Sequence, residues 1–437
     1  MKAIWTMIRS AVIYGFAFGL AAAVPLLLVP LLTRLLTPED YGRVGMFTVM
    51  VQLLATLAGL SVHGAVGMRY FDREVLDFPR YVASCLTILL VSTLIVVVGV
   101  IAFEPLLERY TQLPANWLIL AAVVAGANFL VQTQLSIWQS SKQAHKFAAL
   151  RGTQAIIDLI LSIVLVVVVK LAWEGRVGGI AAGMLCAAVI SAVTLIRGQW
   201  FRLPIDKEYV RGALKFGIPL VPHAIGGMLI AVVDRLLITN LLDVGSTGIY
   251  VLAIQIGLIL NLATDSLNRA ASPWLIEHLK ADDPTQDVMI VRLTYAYFAL
   301  VLIAGVTLGL VAPKLLSVFV GEKFQPAASI VIYITVGQAF AGMYYILSNY
   351  VFYAGQTGKL AIVSLSSGIV SAAISYYLLK VLGLRGAAIA FIVAQAMLFL
   401  GTWVLAHRVR PMPWLRALKR QPPEAAPPGL AQPPNGH

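Results

Sequence analysis

LTRLL at residues 32–36, followed by Gly42, has a second copy later in this sequence: ITNLL at residues 238–242, followed by Gly248. In both places a long apolar stretch ends, a short polar turn follows, and another apolar stretch begins. Duplicated helix pairs of this kind are typical of transporters built from two repeated halves. The repeat therefore predicts two halves around a conduit for a substrate.

The composition places these stretches in a membrane. Hydrophobic residues make up 59% of the chain and charged residues only 12%, whereas about 25% of a soluble domain is charged. A helix needs roughly 20 apolar residues to cross the hydrocarbon of a bilayer. We therefore predict an all-α polytopic membrane protein with twelve transmembrane helices, at residues 11–36, 42–68, 80–103, 114–140, 153–171, 176–198, 215–241, 245–272, 292–313, 325–353, 359–381 and 384–408.

The two halves are expected to be parallel repeats, because six spans per half return the chain to the same side of the membrane. Shorter matches support this, since KFA at 146–148 resembles KLA at 359–361 and GGIA at 178–181 resembles AAIA at 387–390. We predict a six-helix lobe at residues 1–200, a cytoplasmic linker at 201–214, a second six-helix lobe at 215–410 and a disordered Pro-rich tail at 411–437, with a central cavity between the lobes.

The basic residues indicate the orientation of the chain. Most of the 32 Lys and Arg residues fall on the side that holds the N-terminus, and cytoplasmic loops retain positive charge. Both termini are therefore predicted to be cytoplasmic. The net charge of +12 fits this bias and an attraction to anionic lipid head groups, whereas nucleic-acid binding is not expected of scattered basic residues. Cys85 and Cys186 imply neither a disulfide framework nor a metal site.

Four short motifs carry a family resemblance. They are RLLTPEDYG at 34–42, FGIP at 216–219, DRLL at 234–237 and GIY at 248–250. Their order and spacing resemble the landmarks of Wzx-type polysaccharide flippases, which belong to the MOP superfamily together with MATE drug exporters and lipid II flippases. The resemblance covers nearly the whole chain up to about residue 410.

The resemblance implies a fold and a function. The fold would be MATE-like. The function would be to move undecaprenyl-diphosphate-linked oligosaccharide across the bacterial inner membrane by alternating access, for O-antigen or exopolysaccharide export, without a cofactor and without enzymatic activity. The expected partners are the lipid-linked oligosaccharide, membrane lipids and polysaccharide polymerase or export proteins, and we expect a monomer.

Four arginines are candidates for contact with an anionic substrate. Arg69 and Arg269 lie toward the predicted cytoplasmic ends of the second and eighth spans, and we expect both to face the cavity. Arg235 near the end of the seventh span either lines the cavity mouth or extends to the membrane interface. Arg34 is the charged member of the first repeat. The alternative for Arg69 is an ordinary topology charge, and for Arg269 a structural ion pair with Asp265 on the same helix face.

Acids and amides within the spans are the remaining polar candidates. Asp158 stands alone among Ile and Leu residues, where an unpaired carboxylate is costly, so Asp158, Asp234 and Asp265 are candidates for binding a coupling ion. For Asp158 a hydrogen bond between helices is the alternative. Amides both donate and accept hydrogen bonds, as sugar hydroxyls require, and the alternative is that they hold helices together. The amide candidates are Gln52, Gln132, Gln255, Asn261 and Gln338.

Prolines interrupt corresponding helices of the two halves. Pro25 and Pro30 lie in the first span, and Pro219 and Pro222 in the seventh. Proline removes a helical hydrogen bond and bends its helix, so these residues are candidate hinges for rocking of the lobes, with a static kink as the alternative.

Two other functions remain open from the sequence. A MATE-like, cation-coupled drug exporter would need a deep acidic cavity, whereas here basic residues rival the few intramembrane acids. A membrane-embedded glycan ligase or polymerase would need a large extramembrane loop with catalytic residues, and the predicted connections are short and lack hydrolase or metalloprotease motifs.

Overall fold

A computed structural model of the chain describes residues 2–218, 220–281 and 284–417. The regular elements in those ranges are helical, and they include no strand. The α-helices are α1 (Lys2–Leu35), α2 (Pro38–Leu57), α3 (Val62–Arg69), α4 (Phe78–Ala102), α5 (Glu104–Thr111), α6 (Ala115–Ser140), α7 (Ala144–Ile163), α8 (Ala172–Arg197), α9 (Lys207–Gly217), α10 (Leu220–Leu241), α11 (Val244–Ala281), α12 (Pro284–Phe319), α13 (Ala328–Tyr353), α14 (Thr357–Leu382), α15 (Leu384–Val409) and α16 (Trp414–Ala417).

The membrane assignment is confirmed. Within the described ranges, ten helical segments are long and apolar enough to cross a bilayer. Helices α1 and α10 occupy the predicted first and seventh spans, and the described apolar part of α1 is the shorter segment Ala23–Leu35. This arrangement agrees with the predicted twelve-helix, two-lobe layout.

The same helix pairings recur in the two halves. In the first half α1 packs on α7, α2 and α4 pack on α6, and α8 packs on both α6 and α7. In the second half α10 packs on α14, α11 and α12 pack on α13, and α15 packs on both α13 and α14. Helices α2 and α11 join the halves. The three-dimensional structure thus repeats what the short matches in the sequence indicate.

The polar turn of each repeat starts a helix through a local cap. Before α2, the Thr37 hydroxyl accepts from the Asp40 amide and the Asp40 carboxylate accepts from the Thr37 amide, both at 3.1 Å. This capping box uses amides that the first helical turn would otherwise leave unpaired. Before α11, the Asp243 carboxylate accepts from the Ser246 amide at 2.6 Å and from its hydroxyl at 2.9 Å.

The two glycines of the repeat bring the halves into contact. A Cβ atom added at Gly42 would lie 1.9 Å from the Val244 carbonyl oxygen, and one added at Gly248 would lie 2.0 Å from the Pro38 carbonyl oxygen. Pro38 and Val244 are themselves equivalent residues of the repeat, each four residues before its glycine. The contact is therefore two-fold, with each copy of the turn packed on the other, and only glycine fits at these positions.

Several helices differ from the predicted spans; α11, for example, continues to Ala281, nine residues beyond the predicted end of the eighth span. The second span is interrupted, because α2 ends at Leu57 and residues Ala58–Ser61 form a tight turn in which Gly59 has φ 76° and the next two residues also have positive φ. The Ser92 hydroxyl satisfies the Gly59 amide at 2.8 Å. The fifth span begins earlier than predicted, at Ala144, because the first turns of α7 are helical despite their polar residues.

The predicted linker and tail also contain packed structure. Residues 207–214 of the linker belong to α9, which packs on α3 and α4. In the tail, Met412 and Trp414 are buried, and the Tyr295 hydroxyl donates to the Trp414 carbonyl at 3.2 Å. The prediction of disorder is therefore wrong for residues 411–417, where apolar side chains cover α12, and residues 418–437 lie outside the described part of the chain.

Candidate functional site

Two adjoining chambers lie where the halves meet. The first chamber, of about 290 Å³, is bounded by α1, α2, α7, α8, α10 and α11, and its polar lining consists of Tyr41, Thr48, Gln52, Asp158, Arg176, Arg235 and Gln255. The second chamber, of about 560 Å³, lies mainly against the second half, and its polar lining consists of Gln52, Arg235, Asn261, Gln338, Tyr344, Tyr345, Ser364 and Gln395. Two polar residues, Gln52 and Arg235, line both.

Arg235 is the cation at the junction of the chambers. It lies six residues before the end of α10, which is about 9 Å along the helix axis. Of the two readings that the sequence left open, the structure shows the one in which the side chain lines the cavity. No hydrogen bond or ion pair joins it to the residues that the structure describes. Its guanidinium is therefore accessible to a ligand.

Asp158 is paired and does not stand alone as predicted. Its carboxylate accepts from Arg176 of α8, and Arg176 also donates to the Ser162 hydroxyl at 2.6 Å. The Arg176 residue is only 4% exposed. The predicted span 153–171 puts Asp158 five residues from the start of its helix. In the structure α7 begins at Ala144, so Asp158 lies about 21 Å along the helix from its start.

The amides on the chamber walls are partly linked to one another. The Tyr41 hydroxyl donates to Gln255 across the halves. The Asn261 side-chain amide donates to the Gln338 oxygen and to the Tyr345 hydroxyl, both at 3.1 Å. These contacts hold helices together, as one reading of the amides proposed, and they also place hydrogen-bonding groups at the cavity surface. The two readings are therefore compatible.

A second acid, Asp234, is buried beside the chambers. It is 4% exposed, and its carboxylate accepts from the Tyr250 hydroxyl at 2.9 Å and from the Ser375 hydroxyl at 2.7 Å. Asp234 itself is not on the lining of either chamber, whereas its neighbour Arg235 lines both. Its partners are hydroxyl groups, in contrast to the arginine beside Asp158.

The other predicted charges lie away from the two chambers. Arg69 pairs with Asp72 at 2.9 Å, and its side chain is 56% exposed. The predicted pair of Arg269 with Asp265 is confirmed at 2.8 Å. Arg34 is exposed and reaches the Val318 carbonyl at 3.4 Å. None of these four lines either chamber, so a role of Arg69, Arg269, Arg34 or Asp265 in transport stays a prediction.

Gln132 and the candidate hinges have separate environments. The Gln132 oxygen accepts from Arg151 of α7 at 3.2 Å, outside both chambers. Pro25 and Pro30 lie inside the continuous helix α1, and Pro25 lines the first chamber. Pro222 lies in α10, and Pro219 is outside the described residues. The hinge role of these prolines stays a prediction.

Arg176 is the site residue that sequence reasoning missed. It is the first residue of the predicted span 176–198 and is not among the candidate arginines, yet the sequence contains a signal for it. Asp158 and Arg176 lie at equal distances along the chain from Val167, in the short connection between two antiparallel helices. Residues equally far from the turn of a helical hairpin come to the same depth, so the pair could have been expected.

Comparison with known proteins identifies the family. Residues 7–278, more than half of the chain, match the family model described as polysaccharide biosynthesis protein. The chain belongs to the polysaccharide biosynthesis protein family. Among curated proteins, this family member is 23% identical over 380 residues to a protein assigned to the Lsg locus of Haemophilus influenzae, covering 83% of the chain and 88% of that protein. The expected family resemblance is confirmed.

Solved structures show the same fold. A multidrug resistance MATE family transporter of the MOP superfamily, in an inward-facing conformation, matches with a TM-score of 0.67 at 14% identity, over 91% of this chain and 98% of the other. The lipid II flippase MurJ, in an inward closed conformation, matches with a TM-score of 0.67 at 15% identity, over 92% and 86%. This family member therefore has the MATE-like fold.

The matched structures are those of a transporter and a flippase. At 14% and 15% identity they show the fold of this chain, and together with the ten apolar helices of its described ranges they indicate a multi-pass membrane protein.

Proposed function

We propose that this protein is a flippase that moves undecaprenyl-diphosphate-linked oligosaccharide across the bacterial inner membrane by alternating access, with both termini in the cytoplasm. The observation that carries the proposal is Arg235, an arginine at the junction of two chambers whose polar linings also include several amides and tyrosines. Arginine binds phosphate oxygens through several charge-assisted hydrogen bonds. Amides and tyrosine hydroxyls suit the sugar hydroxyls that follow the diphosphate.

The charge of the chambers favours an anionic substrate over a cationic drug. The lining of the first chamber contains one carboxylate, Asp158, and two arginines. Asp158 is neutralised by Arg176, which leaves the positive charge of Arg235. A cation exporter requires the opposite balance, because an arginine on the chamber wall repels a cation in a site of low dielectric constant.

Flipping by purified protein in liposomes tests this proposal. A lipid-linked oligosaccharide with a fluorescent sugar would be incorporated, and the fraction reached by an impermeant quencher followed over time. We expect Arg235→Gln to lower the initial rate at least about tenfold, since a hydrogen bond to a charged group contributes about 1.5–3 kcal/mol. Arg385→Gln is the matched control, because Arg385 is exposed and lies outside both chambers.

Two outcomes would contradict the proposal. The first is a wild-type rate no faster than in liposomes without protein. The second is wild-type flipping that Arg235→Gln leaves unchanged. Accumulation of ethidium in cells that express the protein tests the exporter: expression that lowers ethidium accumulation, together with no flipping, would favour the drug exporter.

A further inference from the structure

Arg176 and Asp158 form a buried ion pair that opens onto the first chamber. Both residues line that chamber, although Arg176 is almost fully buried. The carboxylate accepts hydrogen bonds from two of the arginine nitrogens and from the Ser162 hydroxyl, and that hydroxyl accepts one from the arginine. A guanidinium has five N–H donors, so the arginine can bind a further group from the chamber.

Among the residues that the structure describes, the ion pair that lines a chamber lies in the first half. When KFA at 146–148 is aligned with KLA at 359–361, Ser371 corresponds to Asp158. When GGIA at 178–181 is aligned with AAIA at 387–390, Arg385 corresponds to Arg176. Arg385 is exposed, and the acid of the second half, Asp234, has hydroxyl partners. In the described part of the cavity, the arginine on which an entering anion can replace a carboxylate therefore lies beside α7.

Replacement of the Asp158 carboxylate on Arg176 by an anion would change the charge of the site. A buried ion pair contributes little net stability because desolvation offsets the attraction, so an anion of suitable shape can replace the carboxylate on Arg176. The carboxylate, whose side chain is 19% exposed, would then keep only the Ser162 hydroxyl as a partner and would lie beside the negative charge of the anion, which is unfavourable. Taking up one proton removes the charge of the carboxylate.

Among the described residues, Arg176 is the ion-pair partner of Asp158. From α8 it is faced by Arg176, and across the chamber by Tyr41 of α2 and Arg235 of α10. Helix α6, which packs on α7, contains no ionisable residue, and in α1 the described chamber residues are apolar. Arg235 is itself a binding group for the entering anion, so it does not replace Arg176 as the partner of Asp158.

We infer that Arg176 exchanges the Asp158 carboxylate for an anionic group of the substrate, and that the released carboxylate takes up one proton from the bulk solution. Substrate binding is thereby coupled to one proton. This inference rests on the proposed function for the identity of the anion, a diphosphate, whereas the exchange itself depends only on the pair and the chamber. It assigns to Arg176 a binding role and to Asp158 the role of proton carrier.

Binding of inorganic pyrophosphate to the purified full-length protein in nanodiscs tests the exchange. Isothermal titration in buffers of different ionisation enthalpy counts the protons taken up per bound anion. We expect wild type to take up about one proton more per bound anion than Asp158→Asn does. For each unit by which the pH rises, the affinity of wild type for pyrophosphate should fall by up to about tenfold more than that of Asp158→Asn. Protonation of pyrophosphate itself is common to both proteins and cancels in the difference.

Two further variants complete the test. Arg176→Gln is expected to weaken binding at least about tenfold, whereas Arg385→Gln, at the equivalent position, is expected to bind as wild type does. If Arg176→Gln does not give folded protein, the double variant Asp158→Asn/Arg176→Gln, which leaves no unpaired charge, replaces it and should lose both binding and the extra proton.

Particular results would overturn the inference. They are equal proton uptake by wild type and Asp158→Asn, or wild-type affinity in the Arg176 variants. Binding that Arg385→Gln weakens as much as Arg176→Gln would also overturn it, because it would show adventitious association with surface charge. Proton-coupled pyrophosphate binding without flipping of lipid-linked sugar would refute the proposed function alone, whereas flipping with uncoupled binding would refute the exchange alone.

Discussion

The two halves of this protein share their helix pairings but bury their acids in different ways. The first half holds Asp158 between α7 and α8 against an arginine, whereas the second holds Asp234 between α10, α11 and α14 against two hydroxyl groups. The serine partners, Ser162 and Ser375, are equivalent residues in the alignment of KFA with KLA. The duplicated fold therefore preserves a polar position, while the charge around it has diverged.

The different partners of Asp158 and Asp234 give the two acids different responses to an anion in the cavity. A carboxylate bound to arginine responds to an anion that competes for that arginine, whereas a carboxylate bound to hydroxyl groups offers no cation to exchange. The first half is thus suited to sensing an anionic substrate. The second half contributes Arg235 and most of the amides that line the second chamber.

The largest expected effect comes from breaking the buried pair. Arg176→Gln should destabilise the protein by up to about 3–5 kcal/mol, because it leaves a partly buried carboxylate without its charge partner. At the equivalent position in the second half, Arg385→Gln should change stability by no more than about 0.5 kcal/mol, because that side chain is exposed. The melting temperature in detergent, followed by size-exclusion chromatography after heating, measures both.

The double variant sharpens this comparison. Asp158→Asn/Arg176→Gln removes both charges and should recover most of the lost stability, since the cost of the single change is the unpaired partner. If the double variant is no more stable than Arg176→Gln alone, the loss comes from packing of the long side chain and the ion pair is not its cause.

A smaller effect is expected from the contact between the two turns. Gly42→Ala and Gly248→Ala each place a Cβ atom within about 2 Å of a carbonyl oxygen of the other half. Overpacking of this kind costs about 1–3 kcal/mol, and the two variants should lower the melting temperature by similar amounts because the contact is two-fold. Gly99→Ala, in α4, is the control, since nothing lies within 4 Å of its added Cβ. Clearly unequal losses would show that the two turns are not equivalent.

The smallest effect concerns the caps of the same turns. Thr37→Ala removes the capping box of α2 and Asp243→Ala removes the carboxylate that caps α11. Each change should cost about 1 kcal/mol, the usual contribution of an N-cap side chain, and lower the melting temperature less than Gly42→Ala does. Thr37→Ser, which keeps the hydroxyl, should remain near wild type. A loss with Thr37→Ser as large as that with Thr37→Ala would contradict the capping role.

Much of the fold can be predicted from the sequence, because membrane helices are long and local. The boundaries of the last two spans agree within a few residues, at 359–381 against Thr357–Leu382 and 384–408 against Leu384–Val409. The break after Leu57 could not be predicted as readily. It depends on Gly59 packing on Phe129 and bonding to Ser92, both far away in the sequence.

The candidate site was predicted in part. Gln52, Gln255, Asn261 and Gln338 were selected as polar residues in apolar spans, and all four line the chambers. Gln132 was selected by the same criterion and faces Arg151 instead. Composition identifies polar residues in a helix, but the rotation of each helix decides which of them face a cavity.

The sequence by itself determined that this protein is a duplicated bundle of membrane helices, because hydrophobic length, the placement of basic residues and the repeated turn are properties of local stretches. Only the tertiary structure decided that Arg176 neutralises Asp158, that Arg235 lies at the junction of the chambers, and that Gly42 and Gly248 join the halves. Each of these depends on helices that are distant along the chain or on the direction in which a helix face turns. Hydropathy contains neither kind of information.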